Sequence, residues 1–491
     1  MKKSLLVTAL ALVLALATLI GLALSLDRTA TPLNIVVTHP WGDSTAAQGL
    51  AVHTAAVYGD MLYWDTDFSV AEGEDTRFSF RPQASAGRPT GEVSDVKDEW
   101  YLTRLCVTEH GKFVTENLLQ ERMPQQDDWR TVRVRDDFVA YRMYLTPMGG
   151  GGGDGTLDTF WGESQDDWVP FDKLRIPIGE ADQLAERVYS QGIRMYSFQY
   201  NLHQTETRFR SFSIGGDGHV LVTVGFAPDA PVESSWAPEG FGLWDVPVMD
   251  TRVNFDGGWY ASRRPDVGGA KLVFPLDIEN QRVVALTETA DGDVLLVTAE
   301  DGQFVLRILD DVTYALRQEL VLGAAEELIW EKENGSIAYY GPVLIFSEED
   351  YILVTLNDRE LLVLEKAEAG YRIGLHSEIM ELRSRRDAAG TYEWTWQRTG
   401  APDETGDDYA GDAYHVIRNG LRALCYRDGK LALASRDPSG LQDIFLEVYG
   451  DGGMLYGALL ENGLESQAYT QSYYLTTPWQ GDPLTLTWGE E

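Results

Sequence analysis

Residues 290–309 read ADGDVLLVTAEDGQFVLRIL: a polar turn, an apolar run, a second turn and a second run. The same alternation recurs along the chain. Asp217-Gly218 precedes HVLVTVGF, Asp428-Gly429 precedes KLALAS, and residues 349–365 read EDYILVTLNDRELLVLE. A weaker copy, HGKFVT, begins at His110. An Asp-Gly or Asn-Asp pair supplies a tight turn, because Gly and Asn tolerate positive φ. The β-branched and aliphatic runs then supply strands of five or six residues. These runs are apolar nearly throughout rather than alternating, so the strands are expected to be covered on both faces. The pattern predicts an all-β protein built from repeated hairpins. The spacing of the near-identical fragments VLVTV, LLVTA and ILVTL is irregular, which implies insertions between units.

Repeated sheets, each covered by its neighbours, describe a β-propeller. On these motifs the chain resembles the β-propeller superfamily across most of residues 34–491. TAEDGQF (298–304) and SRDPSG (435–440) approach the Ser-x-Asp-x-Gly box of sialidase-like propellers, each departing from it. Gly-His…Trp-Asp signatures and the kelch double glycine are lacking. The resemblance implies about seven blades, with six to eight compatible with the length. It also implies ring closure, for which NIVVT (34–38) and LTLTW (484–488) are candidates to share one blade. The competing architecture is a string of tandem β-sandwiches.

One segment carries a helical period. In EADQLAERVYSQG (180–192), Ala181, Leu184, Ala185, Val188 and Tyr189 form one apolar stripe, and Gly192 offers a stop. Three stretches rich in Gly, Pro or acid read as exposed loops: MGGGGGDGTLD (148–158), SSWAPEGFG (234–242) and TGAPDETGDDYAGDAY (399–414).

The N-terminus changes the setting of this body. Lys2 and Lys3 precede an uncharged stretch from Ser4 to Leu26. As a helix it would span roughly 34 Å, enough for a hydrocarbon core of about 30 Å. Residues 1–26 therefore read as a signal-anchor transmembrane helix, 27–33 as a short linker and 34–491 as the extracytoplasmic domain, with the two lysines in the cytoplasm. Cleavage near Ala23-Leu24-Ser25, giving a secreted protein, is the rival reading. No Cys follows the apolar stretch, which excludes a lipid-modified N-terminus.

Charge narrows the partners. The formal net charge is −37, from 77 acidic and 40 basic residues. Such a surface excludes nucleic acid, whose backbone needs clustered Lys and Arg. Only two cysteines occur, Cys106 and Cys425, each just before a turn ending in Gly-Lys. Equivalent positions in neighbouring sheets, about 10 Å apart, are too distant to bridge, so both are expected reduced.

Local motifs for chemistry are sparse. Five glycines at 149–153 lead into Asp154 rather than Gly-Lys-Ser/Thr, so they make no phosphate loop. Asp403, Asp407, Asp408 and Asp412, with Glu404, form an acidic loop that would suit a hard cation such as Ca²⁺, without the order of an EF-hand. The seven histidines show no zinc-binding spacing, and no Gly-x-Ser-x-Gly elbow is present. No cofactor is expected beyond that candidate ion. Aromatic residues beside charges carry more information. DTFWGESQDDW (158–168) offers Trp161 and Trp168; GGWYASRR (257–264) offers Trp259, Tyr260, Arg263 and Arg264; EWTWQR (393–398) holds Trp394 and Trp396 on one strand face. Sugar rings stack on aromatic faces while carboxylates and Arg take hydroxyls. The expected function is a membrane-anchored binding module for a carbohydrate or an envelope protein. A glycoside hydrolase or polysaccharide lyase, with two carboxylates roughly 5–10 Å apart, is the alternative. An assembly factor for envelope proteins is a third reading.

Overall fold

A computed structural model describes residues 35–58, 62–80, 209–216, 218–228, 232–255, 258–325, 342–386, 392–399, 420–436, 443–461 and 484–489, with strand segments of residues 100–201 and a few residues besides. Of residues 1–34 only Ala15, Leu16 and Thr18 are described, all helical. Among the described residues no helix is long and apolar enough to cross a membrane; the expected anchor over 4–26 otherwise lies outside them.

The protein is all-β. Its described strands form eight sheets of antiparallel strands, numbered here by chain order. Sheet 5 is representative: Arg282–Glu288, Val294–Glu300, Gln303–Leu309 and Leu316–Ala324 lie side by side in sequence order. Sheet 6 repeats this meander with Val343–Ser347, Tyr351–Leu356, Glu360–Ala367 and Gly370–Glu378. Its cause is local. Asp301-Gly302, Asn357-Asp358 and Asp428-Gly429 all have positive φ at both residues, the conformation of the tight turn that matches strand twist. Between turns, Val222, Val297 and Val354 are wholly buried, as the uninterrupted apolar runs require.

By packing the chain divides into two compact units. The first comprises Met1–Glu92, Asp358–Glu365 and Tyr371–Glu491; the second comprises Val93–Asn357 and Lys366–Gly370.

In the first unit the two ends of the chain are exchanged. Sheet 1 orders Thr485–Trp488, Leu50–Tyr58, Leu62–Ser69 and Gly73–Phe80. Sheet 8 orders Val36–Gly42, Gly453–Glu461, Ile444–Gly450, Lys430–Arg436 and Leu421–Arg427. The terminal strands therefore do not share a sheet, contrary to the expectation for 34–38 and 484–488. The early strand completes the late sheet and the late strand completes the early one. Sheets 1 and 8 pack through one apolar cluster that includes Leu50, Val52, Leu446, Val448, Leu484 and Leu486. Gly42 makes the first strand's exit possible: its φ is +79°, and a Cβ there would overlap the Leu455 carbonyl.

Sheet 7 (Tyr392–Arg398, Met380–Arg386, Ala413–Tyr414) supplies the neighbour on the other face of sheet 8. Trp394 stacks on His39 with ring centroids 5.5 Å apart, and Trp396 Nε1 donates to the His39 carbonyl at 2.9 Å. Both tryptophans thus face the first strand from one side of theirs, as their alternate positions predict. Trp396 also lies over Gly457, where a Cβ would press on the indole.

The second unit holds sheets 2 to 5. Sheet 2 is Val169–Ile176, Ala140–Pro147, Val107–Glu109 and Lys112–Phe113, with Trp100–Thr103 beside Ala140–Pro147. Sheet 3 corrects the reading of residues 180–192 as a helix. Gln183–Tyr189 is its middle strand, Leu184 standing opposite Tyr200 on one side and Val132 on the other. Long-range pairing on both edges outweighs the helical period. The stretch 234–242 is also more compact than an exposed loop: Ser234–Trp236 forms a 3₁₀ turn, Trp236 packs edge-on to Phe226, and Ala237 and Phe241 are buried. Cys425 is a half-buried thiol against the core of the first unit, and Cys106 lies outside the described residues.

Candidate functional site

Sheet 4 contains an element that leaves its sheet. Phe241–Phe255 is 15 residues long. Its first part pairs with His219–Phe226 on one side and Lys271–Leu276 on the other. Beyond Pro247 its partner among the described strands is Gly258–Pro265. The two make a hairpin arm about 26 Å long, at about 3.3 Å per residue. Its root is tied down by Val248 N donating to the Gly218 carbonyl and Asp266 N to the Pro247 carbonyl, both at 2.7 Å.

This arm carries four of the residues singled out from the sequence. Trp259, Tyr260, Arg263 and Arg264 stand opposite Asn254, Val253, Asp250 and Met249. Successive strand positions alternate between faces, so Trp259 and Arg263 belong to one face, Tyr260 and Arg264 to the other. The cluster GGWYASRR is therefore split between the two sides of a ribbon. Trp161 and Trp168 lie outside the described residues, as do Asp403, Asp407, Asp408 and Asp412. Among the described residues no group of three or more His, Cys, Asp and Glu is placed to hold a metal ion.

At the root of the arm, three side chains from different elements meet. His219 Nδ1 lies 3.0 Å from Asp245 Oδ1 and 3.0 Å from the Tyr314 hydroxyl oxygen. One ring nitrogen has one proton to give, and the carboxylate is the stronger acceptor, so we assign Nδ1–H to Asp245. Tyr314 reaches this point from the turn between Gln303–Leu309 and Leu316–Ala324, with φ +55°, rare for an aromatic residue. Asp310 holds the turn in place. Its carboxylate accepts from the amides of Val312 and Thr313, from the Thr313 hydroxyl and from Arg317, which also reaches Asp293. Those bonds hold the Asp310 carboxyl well below its usual range. Burial, then the charges of Asp245 and Asp311, push the Tyr314 phenol up, so it stays protonated. The imidazole packs over Gly216, where any Cβ would overlap it. The arrangement fixes one imidazole between an acid and a phenol, a geometry suited to orienting a hydrogen-bonding ligand.

A second polar feature is sealed inside the first unit. Glu447, on Ile444–Gly450, is almost fully buried, and Tyr449 donates its hydroxyl proton to Glu447 Oε2 at 2.8 Å. Met380 opens the strand Met380–Arg386, and Val416 lies two residues beyond the end of Ala413–Tyr414, which pairs with that strand. Their two amides are taken up by sheet 8: Met380 N donates to the Tyr449 hydroxyl at 3.2 Å and Val416 N to the Glu447 carboxyl. Glu447 Oε1 has no hydrogen-bond partner. Burial pushes this acid up to about 8, against the weaker lowering by Tyr449 and Val416. Gly457 stands directly across from Glu447.

Neither feature was singled out from the sequence. A lone Glu inside the apolar run IFLEVYG was the available signal for Glu447. His219, Asp245 and Tyr314 share no local pattern. Comparison with protein-family models and with curated proteins finds no match.

Proposed function

We propose that this chain is an extracytoplasmic binding module on a β-propeller scaffold, tethered to the membrane through residues 4–26. The eight antiparallel sheets among the described residues fall within the six to eight blades expected from the sequence, and the exchanged terminal strands support ring closure. The observation that carries the binding reading is the arm 248–265. It sets Trp259, Tyr260, Arg263 and Arg264 on a two-stranded ribbon that runs on past the pairing of Phe241–Phe255 with His219–Phe226 and Lys271–Leu276. Aromatic and guanidinium groups gathered on such a ribbon suit a carbohydrate or a polar peptide segment of an envelope protein.

The test is a glycan array probed with the full chain in detergent. Binding that falls at least about tenfold in both Trp259→Ala and Arg263→Ala supports the arm as the ligand-bearing element; such a fall corresponds to about 1.4 kcal/mol. Binding indifferent to both substitutions sinks the assignment, and a blank array moves the ligand from glycan to protein. Carbonate-resistant membrane association that is lost on deleting residues 4–26 checks the tether separately.

A further inference from the structure

We propose that Thr487, His53 and Asp67 form a hydroxyl nucleophile with its base and orienting acid, on the outer face of sheet 1, suited to taking an acyl group from a neutral ester. The three residues come from three adjacent strands, Thr485–Trp488, Leu50–Tyr58 and Leu62–Ser69. His53 stands directly across from Asp67 on one side and from Thr485 on the other, and Thr487 is two positions along on the same face. His53 Nδ1 is hydrogen-bonded to Asp67 Oδ1. His53 Nε2 lies 2.9 Å from Thr487 Oγ1.

The order of these bonds fixes their direction. With Nδ1–H donated to the carboxylate, Nε2 keeps its lone pair, so the Thr487 hydroxyl is the donor on that side. Carboxylate, imidazole and hydroxyl in this sequence are what activation of an alcohol nucleophile requires. A polar ladder on a solvent face needs only that donors meet acceptors. Here the two ring nitrogens are divided between an acid and a hydroxyl in the sense that moves a proton. Exposure permits the chemistry: Thr487 and Asp67 are exposed, and the His53 side chain is 36% exposed. Rigidity supports it, because Leu50, Val52, Phe68 and Leu486 on the opposite face are buried.

The substrate class follows from the surroundings. Asp75 stands directly across from Asp67 and is also exposed, and Arg77, 3.7 Å from Asp75, offsets one of these two charges, so the face keeps a negative excess beside His53 and favours a neutral ester over an anionic one. A sheet face that is open suits an ester carried on an extended chain. In the first step Thr487 Oγ bonds to the carbonyl carbon while its proton passes to His53 Nε2. The bond from that carbon to the leaving oxygen then breaks, and His53 returns the proton to the departing alcohol. Water, deprotonated by the same nitrogen, cleaves the acyl-threonine, releases the acid and restores the hydroxyl. Asp67 stabilises the imidazolium that forms in each half.

The experiment is labelling of the full chain with a fluorophosphonate reporter, whose phosphorus accepts the hydroxyl oxygen as fluoride leaves, followed by peptide mapping. The label is expected on Thr487. It should be absent in Thr487→Val, faster in Thr487→Ser, whose hydroxyl is less hindered, and slower by roughly a hundredfold in His53→Gln. Thermal midpoints within a few degrees of the parent show that each variant is folded. Absence of label in both the parent and Thr487→Ser overturns the proposal, as does labelling at Thr487 that is indifferent to His53→Gln. The outcome is independent of the glycan-array result, which reads a different unit.

Discussion

Glu447 is the residue whose burial has the clearest measurable effect. Its ordinary value is 4.5 and the folded protein raises it to about 8. Between those limits the unfolded chain has lost this proton while the folded chain keeps it. The unfolded state therefore binds fewer protons, and stability falls as pH rises from about 4.5 to about 8. Below that window the contribution is constant, and above it the loss is complete. A full proton corresponds to about 1.4 kcal/mol per pH unit, so the effect amounts to a few kcal/mol. Glu447→Gln removes the titration and retains an acceptor for Tyr449. The variant is expected to match the parent near pH 5 and to exceed it by several degrees in thermal midpoint at pH 8. Parallel pH profiles for the two proteins would contradict the assignment. The net charge of −37 adds its own acid-side relief of repulsion to both proteins, so the difference between them isolates Glu447.

At the scale of elements, the hairpins were legible because their causes are local. Asp301-Gly302, Asn357-Asp358 and Asp428-Gly429 adopt the turn their side chains favour, and the runs between them are buried as their composition demands. Gly302 tests this directly. It has φ +73° with nothing within 4 Å of a built Cβ, so replacing it carries a conformational cost and no steric one. Gly302→Val should destabilise by about 1–2 kcal/mol in urea denaturation, whereas Gly302→Asn should cost much less. Equal losses in the two variants would show that space, not backbone conformation, governs the site. Gln183–Tyr189 failed as a sequence reading for the complementary reason. Leu184, Ala185 and Val188 fit a helical stripe, and the information that makes them a strand lies in residues 129–133 and 195–201. The arm 248–265 was likewise invisible, although its aromatic and Arg content was not. Composition marks the residues, but only the pairing of Val248 with Pro265 shows that they leave the sheet.

On the scale of the whole molecule, the exchanged termini matter most. Removing residues 484–491 takes Leu484 and Leu486 from the core and opens an edge of Leu50–Tyr58. At about 1.5–3 kcal/mol for each buried leucine, the truncated chain should lose several kcal/mol in urea denaturation. A synthetic peptide covering 482–491, added in excess, should restore part of it. An unchanged midpoint on truncation would mean that the strand is an ornament to the sheet. The partner of each terminal strand could not be read from the sequence, because any apolar strand offers the same backbone bonds. The same separation hides Thr487 from His53, which is 434 residues away.

That distance is also a time. At about 5–20 residues per second, the ribosome needs roughly 20–90 s between making His53 and making Thr487. Throughout that interval the edge of Leu50–Tyr58 that Thr485–Trp488 finally covers is open to the wrong strand. The earliest sheet to be synthesised is thus the last to be finished, and a chaperone that shields one edge for about a minute would serve this protein better than one that speeds its collapse.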